Sequence, residues 1–365
     1  MLRETPFHPR TAPLCESQAW RRWAGYVVAS SYELTHDREY HAIRSSAALL
    51  DVSPLYKYLI TGPDAERLLD RVVTRNVGKT KVGQVLYTPW CDAAGKVIDD
   101  GTISRLGEQT FRLTAADPNL RWLHLNAIRL NVRIEDVSAS TAALALQGPS
   151  SRAILEELTA TDLTTLKYYR LTAGSIRGIP VTISRTGYIT PCGMLALDLA
   201  RIEAGLLLLE VDYVSAHHAL LESQKSSPFE LNLGWTVSLE KEWFVGKPAL
   251  VAEAARGAAW QLVGLEVDWD SLERLYAEVG LPPRLPTTAW RTSVPVYVNG
   301  TQVGYATSGC WSPVLKKYLA LAHVRGEHAR PGSAVMMEVT VEHHRKRAAA
   351  RVAKTPFFNP ERKRA

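Results

Sequence analysis

The strongest constraint on the fold is a short sequence pattern that occurs twice. In each copy an apolar segment ends in Gly-Pro and is followed by a segment with helical spacing of apolar residues. The copies are residues 58–63 followed by 64–69, and residues 144–149 followed by 150–155. Each copy predicts a strand that ends at Gly, with Pro in the first turn of a helix, where a missing N–H is tolerated. Two such units predict two related α+β halves packed together, and a cleft between related halves is a natural ligand site.

Two adjacent carboxylates, Asp99 and Asp100, follow a predicted hairpin turn. Residues 85–90 and 96–98 have the composition of strands, and the Asp-Ala-Ala-Gly of residues 92–95 is typical of a tight reversal. Because side chains alternate along a strand, the two carboxylates must point to opposite faces of the sheet. If both faces are covered, one charge is held partly out of water and needs a partner or a ligand. The pair is therefore the first candidate for chemistry; the alternative is one solvated Asp and one that caps a backbone group.

The second part of the chain changes character near residue 256. Helices are predicted over residues 194–205, closed by Gly, and over residues 248–256, which look like a connector. From Trp260 the pattern becomes short alternating strands, and Asn299-Gly300 is a strong hairpin signal. This part predicts a small antiparallel β-barrel. We therefore expect two regions, residues 1–256 and residues 257–365.

Composition and charge exclude several classes of protein. The 365 residues are 46% hydrophobic and 22% charged, with no apolar run long enough to span a bilayer and no apolar segment at the N-terminus. We therefore expect a cytoplasmic protein with no membrane partner. Basic residues near the C-terminus, at 343–347 and 362–364, have the composition of a solvated terminus, or of a site for an acidic partner. They are not interleaved with aromatic residues as in nucleic-acid-binding modules, so no nucleic-acid partner is expected.

Other candidate sites are weak. The four cysteines are far apart, which favours reduced thiols over disulfides or a zinc site. The pairs His217-His218 and His343-His344 lack the spacing of metal ligands, so no metal is expected. Cys310 has no evident His-Asp partner, and nucleotide-binding glycine motifs are absent from the sequence. More interesting are the tyrosines at strand ends and turns, which the order of elements places near a shared cleft with the Asp pair: Tyr87, Tyr168, Tyr169 and Tyr188.

In order along the chain, these motifs resemble the glycine-cleavage T-protein (aminomethyltransferase) superfamily, which binds tetrahydrofolate. The matching segments run from about residue 26 to residue 358 and are residues 50–53, 62–63, 95–100, 145–149, 184–188, 200–205, 244–247, 307–309 and 312–313. Their collinearity makes the match far more specific than any single motif. The resemblance implies a fold of two related α+β halves around a central folate channel, followed by a C-terminal antiparallel β-barrel.

The resemblance also implies the chemistry and its residues. It places Asp100, as the catalytic residue, beside the reactive nitrogen of tetrahydrofolate. It places the folate-binding residues at Tyr87, Thr114, Tyr169, Arg185 and Tyr188. A flat heteroaromatic pterin with a donor-acceptor edge suits stacking rings and a carboxylate. The implied activity is transfer of an aminomethyl or methyl group to tetrahydrofolate from a small-molecule donor or a lipoyl carrier protein.

The chain departs from the family pattern after Tyr188. The family continues there with a Gly-rich turn, a strand bearing a pterin-binding Glu and a further helix, whereas this chain passes almost directly to Met194. We therefore expect the chain to lack one strand-helix unit and the pterin carboxylate, with an exposed sheet edge as the consequence. Two explanations stay open: a natural or engineered deletion has removed the unit from the protein, or the stretch is missing only from this sequence.

Further differences concern the substrate. Residues 54–57 stand where glycine-cleavage T-proteins usually have His-Met, and Leu197 stands where their helix usually carries an extra Arg. These substitutions are more like those of relatives that act as folate-dependent demethylases of small methylated metabolites, which is the first alternative function. The second alternative is a non-catalytic folate-binding or scaffold protein. The scaffold relatives carry a Cys-containing segment where this chain has Phe-Val-Gly-Lys at residues 244–247, which argues against that alternative.

Overall fold

The described chain is a mixture of short helices and antiparallel strands. A computed structural model describes residues 2–186 and 193–360. Its α-helices are α1 (His8–Thr11), α2 (Asp37–Ser45), α3 (Ala65–Val72), α4 (Leu120–Asn126), α5 (Ser151–Leu158), α6 (Met194–Glu203), α7 (Lys247–Arg256) and α8 (Trp269–Ala277). Its strands are β1 (Trp20–Trp23), β2 (Tyr26–Ala29), β3 (Ala48–Asp51), β4 (Tyr56–Thr61), β5 (Val85–Cys91), β6 (Val97–Gly107), β7 (Thr110–Ala115), β8 (Arg133–Asp136), β9 (Leu144–Gln147), β10 (Arg170–Ile176), β11 (Ile179–Arg185), β12 (Trp260–Val267), β13 (Val294–Val298), β14 (Thr301–Ser312), β15 (Lys317–Arg325), β16 (Ala334–Val341) and β17 (His344–Ala353).

A five-stranded antiparallel sheet in the order β5-β6-β7-β4-β8 carries the Asp pair. One of its faces is an apolar core in which Ile60, Ile103 and Leu113 are at most 1% exposed. Leu68 of α3 and Leu123 of α4 are fully buried, as expected of helices whose apolar side chains pack into a core.

The opposite face of this sheet is polar. Tyr87, Thr102, Thr114 and Lys57 are directly opposite one another on β5, β6, β7 and β4, so their side chains form one row on the same face. Asp100 is two residues from Thr102 and therefore lies on this face too. The sheet thus separates an apolar core from a polar surface that contains the candidate carboxylate.

Both copies of the repeated pattern form a strand followed by a helix, as predicted. β4 is followed by α3 and β9 by α5, and Gly62 and Gly148 have positive φ values of 121° and 131°. At Gly62 a side chain would come within 2.8 Å of the Asn131 carbonyl oxygen, so the close approach of two backbones requires glycine. The expected place of Pro in the first turn was wrong. Each proline lies two residues before the first helical residue. The N-cap residues Asp64 and Ser150 separate the prolines from the helices.

The predicted barrel is confirmed. Six strands close in the order β12-β15-β14-β13-β16-β17 around a core of small and branched apolar residues. Asn299 and Gly300, with φ values of 49° and 82°, form the two-residue turn between β13 and β14 that the sequence predicted. The helices expected over residues 194–205 and 248–256 are α6 and α7.

The chain divides into two compact units. One comprises Met1–Leu197 with Thr236–Pro248, and the other Asp198–Trp235 with Ala249–Ala365. The division into residues 1–256 and 257–365 that the sequence suggested stays a prediction. Among the described residues, every helix is too short or too polar to cross a membrane.

A glycine in β6 gives a direct test of the sheet. A Cβ at Gly101, the residue after Asp100, would overlap the Thr114 carbonyl oxygen of β7, whereas a Cβ at Gly107 on the same strand would make only an ordinary 3.5 Å contact. We expect Gly101→Ala to lower the free energy of unfolding by about 2–3 kcal/mol, since overpacking a rigid sheet forces the backbone to move. Urea unfolding measures the effect, with Gly107→Ala as the matched control. Equal stabilities of the two variants would contradict this register.

Candidate functional site

The hairpin that carries the Asp pair is fixed by a turn with its own side-chain cap. Asp92 Oδ1 accepts hydrogen bonds from the Ala94 N–H and the Lys96 N–H, both at 2.9 Å, and Gly95 has a φ of 74°. The turn sets the register in which Trp90 lies opposite Asp99, and Pro89 opposite Asp100. The predicted reversal is therefore confirmed, together with the alternation of the two carboxylates.

Asp99 lies on the apolar face and is fully buried. Its Oδ1 accepts from the Asp100 N–H at 2.8 Å, and its Oδ2 accepts from the Asp117 N–H at 3.0 Å and from Asn119 Nδ2 at 2.8 Å. Burial, with a contribution from the Asp100 charge, raises the pKa of Asp99 well above its usual range. Asp99 thus has the backbone-capping role that the sequence gave as an alternative for one member of the pair.

Asp100 lies on the polar face and is partly exposed. The Tyr87 hydroxyl donates a hydrogen bond of 2.8 Å to Asp100 Oδ2, and Tyr87 itself is 6% exposed. The structure therefore brings together two residues that the sequence proposed for the site. A buried phenol that donates to a carboxylate fixes the orientation of that carboxylate.

Thr114 and two basic residues share this face. Thr114 is in the row that contains Tyr87, whereas Lys57, in the same row, and Arg112, two residues along β7, were not among the predicted site residues. Lys57 Nζ donates to the carbonyl oxygens of Ser53 and Leu55 at 3.0 and 2.7 Å, and burial lowers its pKa to about 8. Burial also lowers the pKa of Arg112. The signal in the sequence was a lysine, Lys57, inside the apolar segment Tyr-Lys-Tyr-Leu-Ile. Only the strand register shows that this lysine lies on the same face of the sheet as Thr114.

Tyr169 and Arg185 lie beside the start of β5. The Val85 N–H donates to the Tyr169 carbonyl at 3.0 Å, and the Tyr169 N–H donates to the Arg185 carbonyl at 2.6 Å. Tyr169 has a φ of 55°, which is strained for a bulky residue, and burial raises its pKa to about 12. The Arg185 guanidinium stacks 4.0 Å from the ring centroid of Tyr168. Tyr188, the remaining predicted residue, lies outside the described residues.

A cavity of about 420 Å³ lies between Tyr169 and the start of β5. Its volume is within the range of small-molecule sites. It is lined by polar and basic residues together with part of β5: Arg75, Asn76, Lys79, Thr80, Gln84, Val85, Leu86, Tyr169, Arg170, Ser238 and Glu240. Arg75 Nη1 also reaches the Tyr87 carbonyl oxygen at 3.4 Å, so the cavity adjoins the residue that holds Asp100.

The remaining candidates from the sequence are the cysteines and the histidine pairs. Cys15, Cys91 and Cys310 are buried and form no disulfide with one another, and Cys192 lies outside the described residues. The described part of the chain contains no group of three or more His, Cys, Asp and Glu side chains placed to hold a metal. His218 is exposed and pairs with Glu210 at 2.9 Å.

Comparisons with known proteins agree with this architecture. The GCVT N-terminal domain model matches residues 8–190, and the glycine cleavage T-protein C-terminal barrel domain model matches residues 261–359. An aminomethyltransferase of Halothermothrix orenii is 33% identical over 88% of this chain and 90% of its own length. A trimethylamine-oxide aldolase of Ruegeria pomeroyi is 30% identical over the whole of this chain, which spans 48% of that protein.

A solved structure has the same fold. The glycine cleavage system aminomethyltransferase T of Bartonella henselae superposes with a TM-score of 0.80 over 98% of each chain, at 21% sequence identity. The sequence models cover both parts of the chain, and the fold agrees across its length. This chain belongs to the glycine cleavage T-protein family.

Proposed function

We propose that this protein transfers a one-carbon group, aminomethyl or methyl, to tetrahydrofolate, with Asp100 beside the acceptor nitrogen. The observation that carries the proposal is the Asp100 carboxylate, held by the Tyr87 hydroxyl at 2.8 Å on the polar face of the five-stranded sheet. The aminomethyltransferase relatives and the family membership support this class of reaction.

The residues present fit a folate. The cavity beside β5 has a volume of about 420 Å³ and an aromatic wall at Tyr169, and an aromatic ring suits stacking on the flat rings of folate. Arg75, Lys79 and Arg170 line the same cavity, and these cations suit the carboxylates at the other end of folate. Thr114 on the polar face and Arg185 next to Tyr169 complete the proposed binding residues in the described chain, with Tyr188 as a further proposal from the sequence.

Asp100 has two tasks in aminomethyl transfer. Its carboxylate orients the folate nitrogen by accepting a hydrogen bond from it, and it stabilises the positive charge that develops there as the nitrogen attacks the methylene carbon. In the overall reaction the C–S and C–N bonds of a thiol-bound aminomethyl group break, and two C–N bonds to folate form. Ammonia and the free thiol leave with the two hydrogens that the folate nitrogens lose. Tyr87 keeps the carboxylate in position throughout.

The donor is either a lipoyl carrier protein bearing an aminomethyl group or a small methylated metabolite. Similarity to a trimethylamine-oxide aldolase along the whole chain supports the second donor class and hence the demethylase alternative. The substitutions at residues 54–57 and at Leu197 support it as well. The scaffold alternative is not favoured by these relatives.

The segment that we propose to be missing after Tyr188 bears on the affinity for folate. The alignment with the Ruegeria pomeroyi protein is 408 positions long against 365 residues in this chain, so that relative carries residues with no counterpart here. This supports our proposal that one strand-helix unit, with the pterin-binding Glu of the family, is missing. We therefore expect weaker folate binding than in a family member that has the unit.

The first test is Asp100→Asn. We expect wild-type protein to bind tetrahydrofolate by calorimetry and the variant to turn over at least roughly 100-fold more slowly, since the charge that assists the nitrogen is lost. The product identifies the donor class: the methylene form indicates aminomethyl transfer, and 5-methyltetrahydrofolate indicates a demethylase. Asp270→Asn, an exposed carboxylate of α8, is the matched control and should be unchanged. No heat of binding with the wild-type protein, or full activity of Asp100→Asn, would contradict the proposal.

The second test is Tyr87→Phe. Removing one hydrogen bond to a charged group costs about 1.5–3 kcal/mol, which corresponds to a 10- to 100-fold loss. We expect this loss in kcat with little change in KM for folate, because Tyr87 holds the catalytic carboxylate. Tyr318→Phe in the barrel, whose hydroxyl is also hydrogen-bonded, controls for the loss of a buried phenol. A purely structural role of Tyr87 predicts lower stability with unchanged kcat.

A further inference from the structure

Two cations lie close together on the polar face of the five-stranded sheet, and the reaction proposed above uses neither of them. Arg112 of β7 is directly opposite Leu59 of β4, and Lys57 is two residues from Leu59 on β4. Side chains two residues apart on a strand share a face, so Arg112 and Lys57 are diagonal neighbours on the face that contains Asp100. Burial lowers the pKa of Lys57, and the charge of Arg112 lowers it further, which agrees with this proximity.

Lys57 is held with its charge largely out of water. It is 3% exposed, and its ammonium group donates to the Ser53 and Leu55 carbonyl oxygens at 3.0 and 2.7 Å. The charges of Asp51 and Asp136 offset part of the cost of burial, but neither carboxylate forms an ion pair with Lys57 in the described part of the chain. Lys57 therefore adds positive charge to this part of the face.

Arg112 is a partly buried guanidinium group. Its N–H groups form no hydrogen bond and no ion pair with any residue that the structure describes. Burial lowers the pKa of Arg112, and no carboxylate among the described residues counteracts this shift. A guanidinium that is partly dehydrated and unpaired beside a second cation favours an anionic ligand.

The donors available at this place favour a carboxylate. A planar guanidinium presents two parallel N–H groups, which match the two oxygens of a carboxylate. Lys57 already uses two of its three N–H groups on backbone carbonyls, so it contributes charge more than hydrogen bonds. One guanidinium with this charge beside it balances the single charge of a carboxylate better than the nearly double charge of a phosphate group.

The position of Arg112 relative to Asp100 indicates which carboxylate it meets. Arg112 is opposite Ser104 of β6, which is four residues from Asp100 and hence about 13 Å along the strand. The acceptor nitrogen that we propose beside Asp100 and a small one-carbon donor both fit within this span. A donor whose methyl group is a few atoms from its carboxylate can therefore contact both. The carboxylates of folate are at the far end of a longer molecule, and the cavity beside β5 has three cations of its own for them.

We propose that Arg112 and Lys57 form a binding site for the carboxylate of the one-carbon donor, and that this donor is a fully N-methylated amino acid. Arg112 donates two hydrogen bonds to the carboxylate, and Lys57 adds positive charge beside it. The assignment of the donor rests on the proposed function. Binding of the carboxylate does not, because neither residue belongs to the proposed folate-binding set.

A quaternary nitrogen makes the transfer balance without an oxidant. One C–N bond of the trimethylammonium group breaks, the methyl group forms a new C–N bond to folate, and a neutral tertiary amine leaves. The folate nitrogen gives its proton to the Asp100 carboxylate, which accepts its hydrogen bond in the proposed arrangement. The products are 5-methyltetrahydrofolate and the dimethylated amino acid.

The test is ligand-observed NMR on the full chain without folate, so a failure of folate binding does not affect the readout. Saturation transfer to the methyl protons of trimethylglycine is compared with transfer to choline, which has the same trimethylammonium group and a hydroxyl in place of the carboxylate. We expect saturable binding of trimethylglycine and no saturable signal from choline. Arg112→Gln should weaken the binding of trimethylglycine about tenfold or more, because hydrogen bonds between charged groups are lost.

Two further variants complete the design. Arg112→Lys keeps the charge without the paired N–H groups, so it should bind trimethylglycine with intermediate affinity. Arg133→Gln removes an exposed arginine of β8 in the same sheet and is the matched control, which should bind like the wild type. Circular dichroism should show an intact fold in each variant.

A third probe separates the two sources of a carboxylate. 4-Aminobenzoylglutamate represents the far end of folate, and we expect Arg112→Gln to leave its binding unchanged. Weaker binding of this fragment in Arg112→Gln would overturn the assignment to the donor. Equal signals from trimethylglycine and choline, or unchanged binding of trimethylglycine in Arg112→Gln, would overturn the carboxylate site itself.

Discussion

The site depends on one buried carboxylate, Asp99. It joins β6 to the loop before α4, because it accepts from the Asp117 N–H and from the Asn119 side chain. Asn119 in turn accepts from Trp90 Nε1 at 2.9 Å, and its N–H donates to the Tyr58 hydroxyl at 2.8 Å. This network crosses three strands and fixes the backbone on which Asp100 stands. Because Asp99 also accepts from the Asp100 N–H, the two carboxylates form one structural unit: the first holds the strand and the second faces the polar surface.

Much of this arrangement could be predicted from the sequence, since it follows from local rules. The turn at residues 92–95 and the alternation of a strand place Asp99 and Asp100 on opposite faces whatever surrounds them. The Asn299-Gly300 turn likewise indicated a hairpin in the barrel. Lys57 and Arg112 could not be assigned to the site in the same way, because their face depends on the pairing of β4 and β7, which is a long-range property. The strained φ of Tyr169 also depends on its two backbone partners, Val85 and Arg185, rather than on local sequence.

The expected loss of a strand-helix unit is consistent with the second half of the repeat. α5 has no buried residue, whereas α3, its counterpart, has Ala65, Leu68, Leu69 and Val72 buried. In the described residues β10 and β11 pair only with each other as a sheet, and Ile179 of β11 is 66% exposed. Within the ranges that the structure describes, the first copy thus belongs to a five-stranded sheet, whereas the strands after α5 form only a two-stranded pair, and the burial of the two helices differs accordingly.

The two carboxylates Asp99 and Asp100 illustrate how burial separates a structural carboxylate from one that a ligand can reach. Asp99 is fully buried and accepts three hydrogen bonds, and a group of this kind stabilises one arrangement of the chain while offering nothing to a ligand. Asp100 is only partly buried, and its Oδ2 accepts from the Tyr87 hydroxyl on the polar face of the sheet. Because neighbouring side chains of a strand point to opposite faces, one carboxylate can hold the sheet together while the next one along the chain stays within reach of a ligand.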